Sequence, residues 1–200
     1  GKNMNLKDSQ TRINLMRSFA GESQARNRYT YAAEAAKSQS LHVIEAVFKF
    51  TANQEKEHGK IFYNYLKEMT GENITIDGSY PVDIYDDVLK LLRSAQHNEF
   101  EEFEPVYPDF AAVANQEGFT NIGAKFNQIA KIEKTHGDRF GMFADLLEQG
   151  KLFVSDVEEE WMCLNCGYVH KSSEAPKSCP VCSHPQGYFV RLKLAPFTTM

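Results

Sequence analysis

Mostly apolar positions between residues 44 and 69 recur at alternating steps of four and three. The stripe runs Ile44, Phe48, Thr51, Glu55, His58, Phe62, Tyr65 and Met69. The same rhythm returns as Ile122, Phe126, Ile129, Glu133, His136, Phe140, Phe143 and Leu147, each member 78 positions after its counterpart. Steps of three and four trace one face of an α-helix, and an apolar face of that kind turns inward. Shorter stripes occupy the preceding segments: Leu15, Ser18, Glu22, Ala25, Tyr29 and Ala32, then Val88, Leu92, Ala95, Glu99 and Glu102. The pattern predicts a mainly α protein built from two related helical hairpins.

Local signals set the expected boundaries. Asp8 or Ser9 caps a first helix running to about Lys37, and Ser38-Gln39-Ser40 links it to a second over about Leu41 to Met69. A third helix is expected from Val82 to Ile84 onward, with Pro105 and Pro108 kinking or breaking it before it ends at Gln116-Glu117-Gly118. A fourth runs from about Thr120 to Glu148, stopped by Gly150. The second helix would be roughly 43 Å long, and the extended segment from Thr70 to Pro81 with its flanks could span that length. The other two links are short. The chain therefore predicts a four-helix bundle with one long crossover. Lys151 to Glu160 reads as a charged linker, placing a boundary near 155 between a bundle of residues 1–155 and a small domain of 156–200.

The polar residues on the inward stripes change the picture. Five glutamates (Glu22, Glu55, Glu99, Glu102, Glu133) and two histidines (His58, His136) point toward one interior, whereas Glu101 and Glu104 fall off the stripe. A single glutamate in a helix is usually solvated, and a lone histidine on an apolar face is more often a satisfied core residue. Several unpaired buried carboxylates, however, would cost several kcal/mol each, beyond what a marginally stable domain absorbs. Bound cations would offset that cost. Carboxylates with one imidazole per metal suit iron or manganese, and a Glu on each of two helices plus Glu-x-x-His on the other two is the ferritin-like di-metal arrangement. Glu22 and Glu99 are the matching carboxylates of the two hairpins, and Glu102 stands where the first has Ala25. Tyr29 and Tyr107 are either hydrogen-bond donors to the ligands or ordinary core tyrosines.

All four cysteines lie at the other end of the chain, as Cys163-Leu164-Asn165-Cys166 and Cys179-Pro180-Val181-Cys182. Two such knuckles form a tetrahedral four-thiolate site for zinc or a single iron. Beside a redox-active di-iron site, single iron is the better explanation, because it can deliver electrons one at a time. So short a segment buries little surface, which makes the metal part of its stability. A net charge of −5 argues against nucleic acid as a partner. No apolar run approaches the ~20 residues that cross a bilayer, and the first residues hold no apolar signal core, so no membrane and a cytoplasmic location are expected.

The motifs Phe19-Ala20-Gly21-Glu22, Arg26-Asn27-Arg28-Tyr29, Gln54-Glu55-Lys56-Glu57-His58, Glu99-Phe100-Glu101-Glu102, Tyr107-Pro108 and Glu133-Lys134-Thr135-His136, followed by the cysteine pairs, resemble the rubrerythrins over nearly the full chain. Ser183 departs from the glycine usual after the last cysteine of free rubredoxins. The resemblance implies a ferritin-like di-iron bundle with a rubredoxin-like Fe(Cys)4 domain, three iron ions per chain. It implies a peroxidase reducing hydrogen peroxide to water in oxidative-stress defence, its electrons coming from an NAD(P)H-linked reductase or rubredoxin. By the same resemblance Glu55 and Glu133 bridge the irons, Glu22, His58, Glu99 and His136 are terminal ligands, and Glu102 exchanges with His58. A homodimer or larger homo-oligomer is also implied. Two rival readings are an iron-storing ferroxidase and a non-catalytic sensor with a zinc tail.

Overall fold

A computed structural model describes residues 4–197. Among the described residues, five α-helices and a small sheet make up the fold. Helices α1 (Gln10–Ser38) and α2 (His42–Asn64) form the first hairpin, packed along each other. Helices α3 (Val88–Glu101) and α4 (Tyr107–Gln116) together make the third rod of the bundle, and both pack on α5 (Thr120–Glu148). The neighbours are joined as the short links require, and the segment between α2 and α3 makes the long crossover. Its course is fixed by Arg17 near one end of α1, which bonds Asp77, and by Gln39 at the other end, which donates to the Asp86 carbonyl at 2.7 Å.

Caps and turns explain the boundaries. Ser9 Oγ accepts from the Arg12 amide at 3.0 Å, and Asp87 accepts from the Lys90 amide at 3.2 Å, so α1 and α3 begin where a side chain satisfies an otherwise orphaned N–H. The start of α1 is held further by Glu117 at the end of α4, whose carboxylate accepts from the Gln10 and Thr11 amides, both at 2.8 Å. A carboxylate there also meets the positive end of the helix dipole.

Four expectations are corrected. Helix α2 ends at Asn64 rather than Met69, giving way to a tight 3-10 turn over Lys67–Met69. Leu66 and Met69, eclipsed at a spacing of three, both reach the core from that turn. Helix α3 starts at Val88 and not near Val82–Ile84, because Asp83 is occupied in accepting from the Asn98 side chain and the cap falls at Asp87. Pro108 neither kinks nor breaks a helix: it lies in the first turn of α4, where no N–H is needed. The break sits at Glu102–Val106, a wide turn containing Pro105. Finally, the charged stretch Lys151–Glu160 is no linker, since strand β1 (Val154–Cys163) runs through most of it.

Strand β1 is the centre of a three-stranded antiparallel sheet, flanked by β2 (Val169–Glu174) and β3 (Phe189–Arg191). Its core is Trp161, Cys163, Ala175, Cys179 and Phe189. Trp161 donates to the Ser172 carbonyl at 2.8 Å and lies under the Arg191 guanidinium, so its polar edge is satisfied despite full burial. This unit is not a free appendage. Leu152, Val190 and Ala195 join the apolar core of α2 and α5, and Tyr188 stacks on His42 with ring centroids 4.0 Å apart. Gly187 allows the approach: a Cβ there would stand 1.7 Å from the Ser40 carbonyl oxygen.

Two substitutions test these contacts. Gly187→Ala should push the sheet domain off the α1–α2 turn at a cost of about 1–3 kcal/mol, seen as faster proteolysis around Lys151–Phe153 while both units stay folded. Glu117→Ala should lower stability by about 1 kcal/mol and speed hydrogen exchange at the Gln10 and Thr11 amides.

Candidate metal centres

The inward glutamates and histidines meet in the middle of the bundle. Glu22 comes from α1, Glu55 and His58 from α2, Glu99 from α3, Glu133 and His136 from α5, and all six are buried. Their ligand atoms form two sets, each within 4.8 Å: Glu22, Glu55, His58 and Glu133, and Glu55, Glu99, Glu133 and His136. Glu55 and Glu133 belong to both sets. Two shared carboxylates flanked by one Glu and one His on each side are the donor set of a carboxylate-bridged pair of hard cations.

The unpaired atoms point the same way. His58 Nδ1 lies 2.6 Å from Glu133 Oε1, yet neither atom makes a hydrogen bond of acceptable geometry. Second oxygens of Glu22, Glu55, Glu99 and Glu133 are likewise buried without a partner. Orphaned lone pairs converging on common points are what a site shaped for cations presents. The His136 ring is oriented from behind, with Nε2 2.6 Å from the Gln54 amide oxygen while Nδ1 faces Glu55 at 2.7 Å. The two histidine rings are nearly parallel, at 11°, with centroids 5.7 Å apart.

Tyr29 and Tyr107 each make a hydrogen bond to a carboxylate of the cluster. Tyr29 donates to Glu99 at 2.8 Å and Tyr107 to Glu22 at 2.6 Å, so each hairpin's tyrosine holds the other hairpin's carboxylate. The two are 78 positions apart, whereas Glu22 and Glu99 are 77 apart. The second hairpin thus carries one extra residue between its glutamate and its tyrosine. In a regular helix that residue would rotate Tyr107 by about 100° away from the interior. The wide turn at Glu102–Val106 absorbs it. The change of offset was visible in the sequence and is the signal that pairs these tyrosines.

Glu102 stands apart. It lies in neither four-residue set, is half-buried at the wide turn, and leaves Oε2 without a partner. Glu101 and Glu104, beside it, are exposed.

Burial and mutual repulsion dominate the electrostatics. Burial, reinforced by Glu22 and Glu99, pushes the Glu55 carboxyl well above its ordinary range. Burial with Glu55 and Glu99 does the same to Glu133, and burial with Glu99 and Glu22 to Glu102. For Glu99 burial also acts upward, but its close neighbours Glu133 and His136 and the hydrogen bond from Tyr29 outweigh it and leave the carboxyl below its usual range. Burial first, then the adjacent carboxylates, raises Tyr29 and Tyr107 well above an ordinary phenol, so both hydroxyls keep their protons.

The four cysteines also converge. Cys163 and Cys182 place their sulfurs 3.7 Å apart, as do Cys166 and Cys179. Disulfide sulfurs would be about 2 Å apart, whereas four thiolates at ~2.3 Å from one metal have edges near ~3.8 Å. The donor set therefore fits a tetrahedral ion. Each knuckle closes with a left-handed residue, Gly167 at φ 85° and Ser183 at φ 65°, whose amides donate to the Cys163 and Cys179 carbonyls. Burial raises the Cys163 thiol to about 12, while a backbone hydrogen bond at His184 draws Cys182 down to about 6.

Known proteins match both units. The rubrerythrin family model covers residues 14–144, and that of the rubrerythrin rubredoxin-like domain covers residues 161–190. A rubrerythrin of Clostridium perfringens is 45% identical over 185 residues, 92% of this chain and 95% of the relative. One from Porphyromonas gingivalis is 44% identical over 191 residues, 96% of this chain and 94% of the relative. Among solved structures, mixed-valence nigerythrin aligns with a TM-score of 0.61 at 28% identity, covering 96% of this chain and 94% of its own. A Desulfovibrio desulfuricans bacterioferritin, at 20% identity and TM-score 0.63 over 74% of this chain and 86% of its own, shares the ferritin-like bundle. With a di-iron donor set inside that bundle and a Fe(Cys)4 donor set behind it, this chain belongs to the rubrerythrin family of iron oxidoreductases.

Proposed function

We propose that this protein is a cytoplasmic peroxidase that reduces hydrogen peroxide to water. The carrying observation is the pairing, in one chain, of a buried carboxylate–histidine cluster with a four-thiolate site. A single-electron carrier beside a two-metal centre suits a reaction that needs two electrons per turnover. Among the described residues no helix is long and apolar enough to cross a membrane.

In this reading Glu22, Glu55, His58, Glu99, Glu133 and His136 would hold the two irons, with Glu55 and Glu133, common to both sets, shared between them. Glu102, outside both four-residue sets, would be the carboxylate able to take the place of His58 as a ligand. When bound, the iron pair supplies Lewis acidity and a store of two electrons. The protein's own groups position and protonate. Tyr29 and Tyr107 stay protonated and fix Glu99 and Glu22 by hydrogen bonds, which keeps the carboxylate orientation constant as charge changes. Glu102, with its raised pKa, can carry a proton to the peroxide side of the centre. Cys163, Cys166, Cys179 and Cys182 would hold the single iron, which would supply one-electron transfer from a rubredoxin or an NAD(P)H-linked reductase. A homodimer or larger assembly would bring one subunit's cysteine site near another's bundle.

Reduced, iron-loaded protein should be reoxidised much faster by hydrogen peroxide than by oxygen in stopped-flow absorbance. Faster reaction with oxygen would favour a ferroxidase instead. Cys163→Ser should preserve one pre-reduced turnover and abolish steady-state activity; unchanged steady-state activity would exclude the relay.

Burial favours the protonated forms of Glu55, Glu133 and Glu102, and metal loading must displace the protons of Glu55 and Glu133. In the metal-free protein these three raised carboxyls bind more protons folded than unfolded, so stability falls as pH rises above the ordinary glutamate value of ~4.3. Glu99, lowered, works in the opposite direction but is outnumbered. The melting temperature of the metal-free protein should therefore drop between pH 5 and pH 8, and that of the iron-loaded protein should not. A metal-free melting temperature that rises over this interval would contradict the assignment.

A further inference from the structure

A cavity of about 930 Å³ opens between α1, the crossover and the α3–α4 turn. Its inner wall contains Glu102 and Tyr107, the residue bonded to Glu22, so it approaches the carboxylate cluster from the side of the wide turn. The crossover forms one wall. Arg17 bonds Asp77 through both side chain and backbone, and Tyr80 donates to the Arg17 carbonyl at 2.9 Å, so this wall is tied to α1. Opposite, Asp83 accepts from Asn98 on α3. A second cleft, of about 240 Å³, reaches Glu55 from between α1 and α2 but is flanked by Arg26 and Lys56.

The size and lining of the larger cavity exceed what hydrogen peroxide needs. One water occupies ~30 Å³ of liquid, so the space would hold on the order of thirty waters. Tyr80, Pro81, Val106 and Phe110 present apolar surface along the way to Glu102. The rest of the lining is polar or charged, Arg17, Arg28, Asp77, His97 and Glu101 among it, so these four residues form one apolar patch in a mixed cavity that is large enough for a small organic group.

We propose that this cavity admits organic hydroperoxides as a second substrate class, their alkyl or aryl part held against Tyr80 and Phe110 and their O–O group directed to Glu102. The inference rests on the peroxidase reading. The reaction is ROOH + 2e⁻ + 2H⁺ → ROH + H₂O. The O–O bond breaks, the alkoxy oxygen takes one proton to leave as the alcohol, and the distal oxygen leaves as water. The two electrons come from the same one-electron donor, a reduced rubredoxin or reductase, that serves hydrogen peroxide.

Gly21 offers a way to close the cavity without touching a candidate ligand. It lies in the wall, where a Cβ would stand 3.5 Å from the Tyr80 ring, an ordinary contact. Leucine favours the helix more than glycine does, so Gly21→Leu should fold. Iron-loaded wild type and Gly21→Leu would be assayed with hydrogen peroxide and with cumene hydroperoxide. Wild type should reduce both. Gly21→Leu should lower kcat/KM for cumene hydroperoxide at least about tenfold, mainly through KM, with hydrogen peroxide changed less than about threefold. Wild-type crystals soaked in 2-phenylpropan-2-ol, the product alcohol, should show its ring between Tyr80 and Phe110, and Gly21→Leu crystals should not. Wild type that reduces hydrogen peroxide but not cumene hydroperoxide overturns the inference, as does an equal loss toward both substrates in Gly21→Leu or alcohol bound elsewhere. Wild type inert to both peroxides would instead overturn the peroxidase reading beneath it.

Discussion

The rest of the structure depends on five inward-pointing carboxylates sharing one low-dielectric interior. Glu22, Glu55, Glu99 and Glu133 are essentially without solvent contact, and Glu102 sits at their edge. Like charges at such spacing cannot all ionise unless something positive lies among them. Two cations resolve the conflict, and the shared membership of Glu55 and Glu133 in both ligand sets shows how two could be held at once. The apolar residues above and below, Phe48 and Phe140 on one side and Phe62 and Phe126 on the other, keep water out and make the conflict acute. Stability and chemistry therefore have the same origin.

The near-symmetry of the hairpins is what lets a chain build such a site. Each hairpin supplies one Glu-x-x-His helix and one glutamate helix, and each sends a tyrosine to the other's glutamate. The crossed tyrosines tie the halves together at the metal layer. The symmetry is broken by a single residue, the one taken up at Glu102–Val106. That widened turn returns Tyr107 to the interior, begins at Glu102, which stands where the first hairpin has only Ala25, and lines the larger cavity with Glu102 and Val106.

The small sheet domain shows the same economy. Its core is five residues, two of them cysteines, so its own apolar burial is slight and its thiolates and their metal complete it. It gains further support by resting on the bundle through Val190, Ala195 and the Tyr188–His42 stack. Ser183 adopts the left-handed conformation that glycine would accept more easily, and the knuckle nevertheless closes with the same amide-to-carbonyl bond as its glycine-containing counterpart.

Periodicity and spacing made most of this legible. The 78-residue repeat, the seven polar residues on inward stripes and the two Cys-x-x-Cys pairs define a four-helix bundle, its candidate ligands and a four-thiolate tail, because helical geometry alone decides which residues share a face. What the stripes could not decide depended on partners far away in sequence. The charged stretch after Lys151 became a strand because β2 and β3 offered it hydrogen bonds, and α3 started late because Asn98 claimed Asp83. Whether Tyr29 and Tyr107 were core or functional turned on which carboxylate each would meet across the bundle. Gly187 and Gly21 looked like any other glycines until a carbonyl and a tyrosine ring were found beside them. Sequence fixes which way a side chain faces along its own helix; only packing brings it to a partner, since those contacts join residues that no local spacing relates.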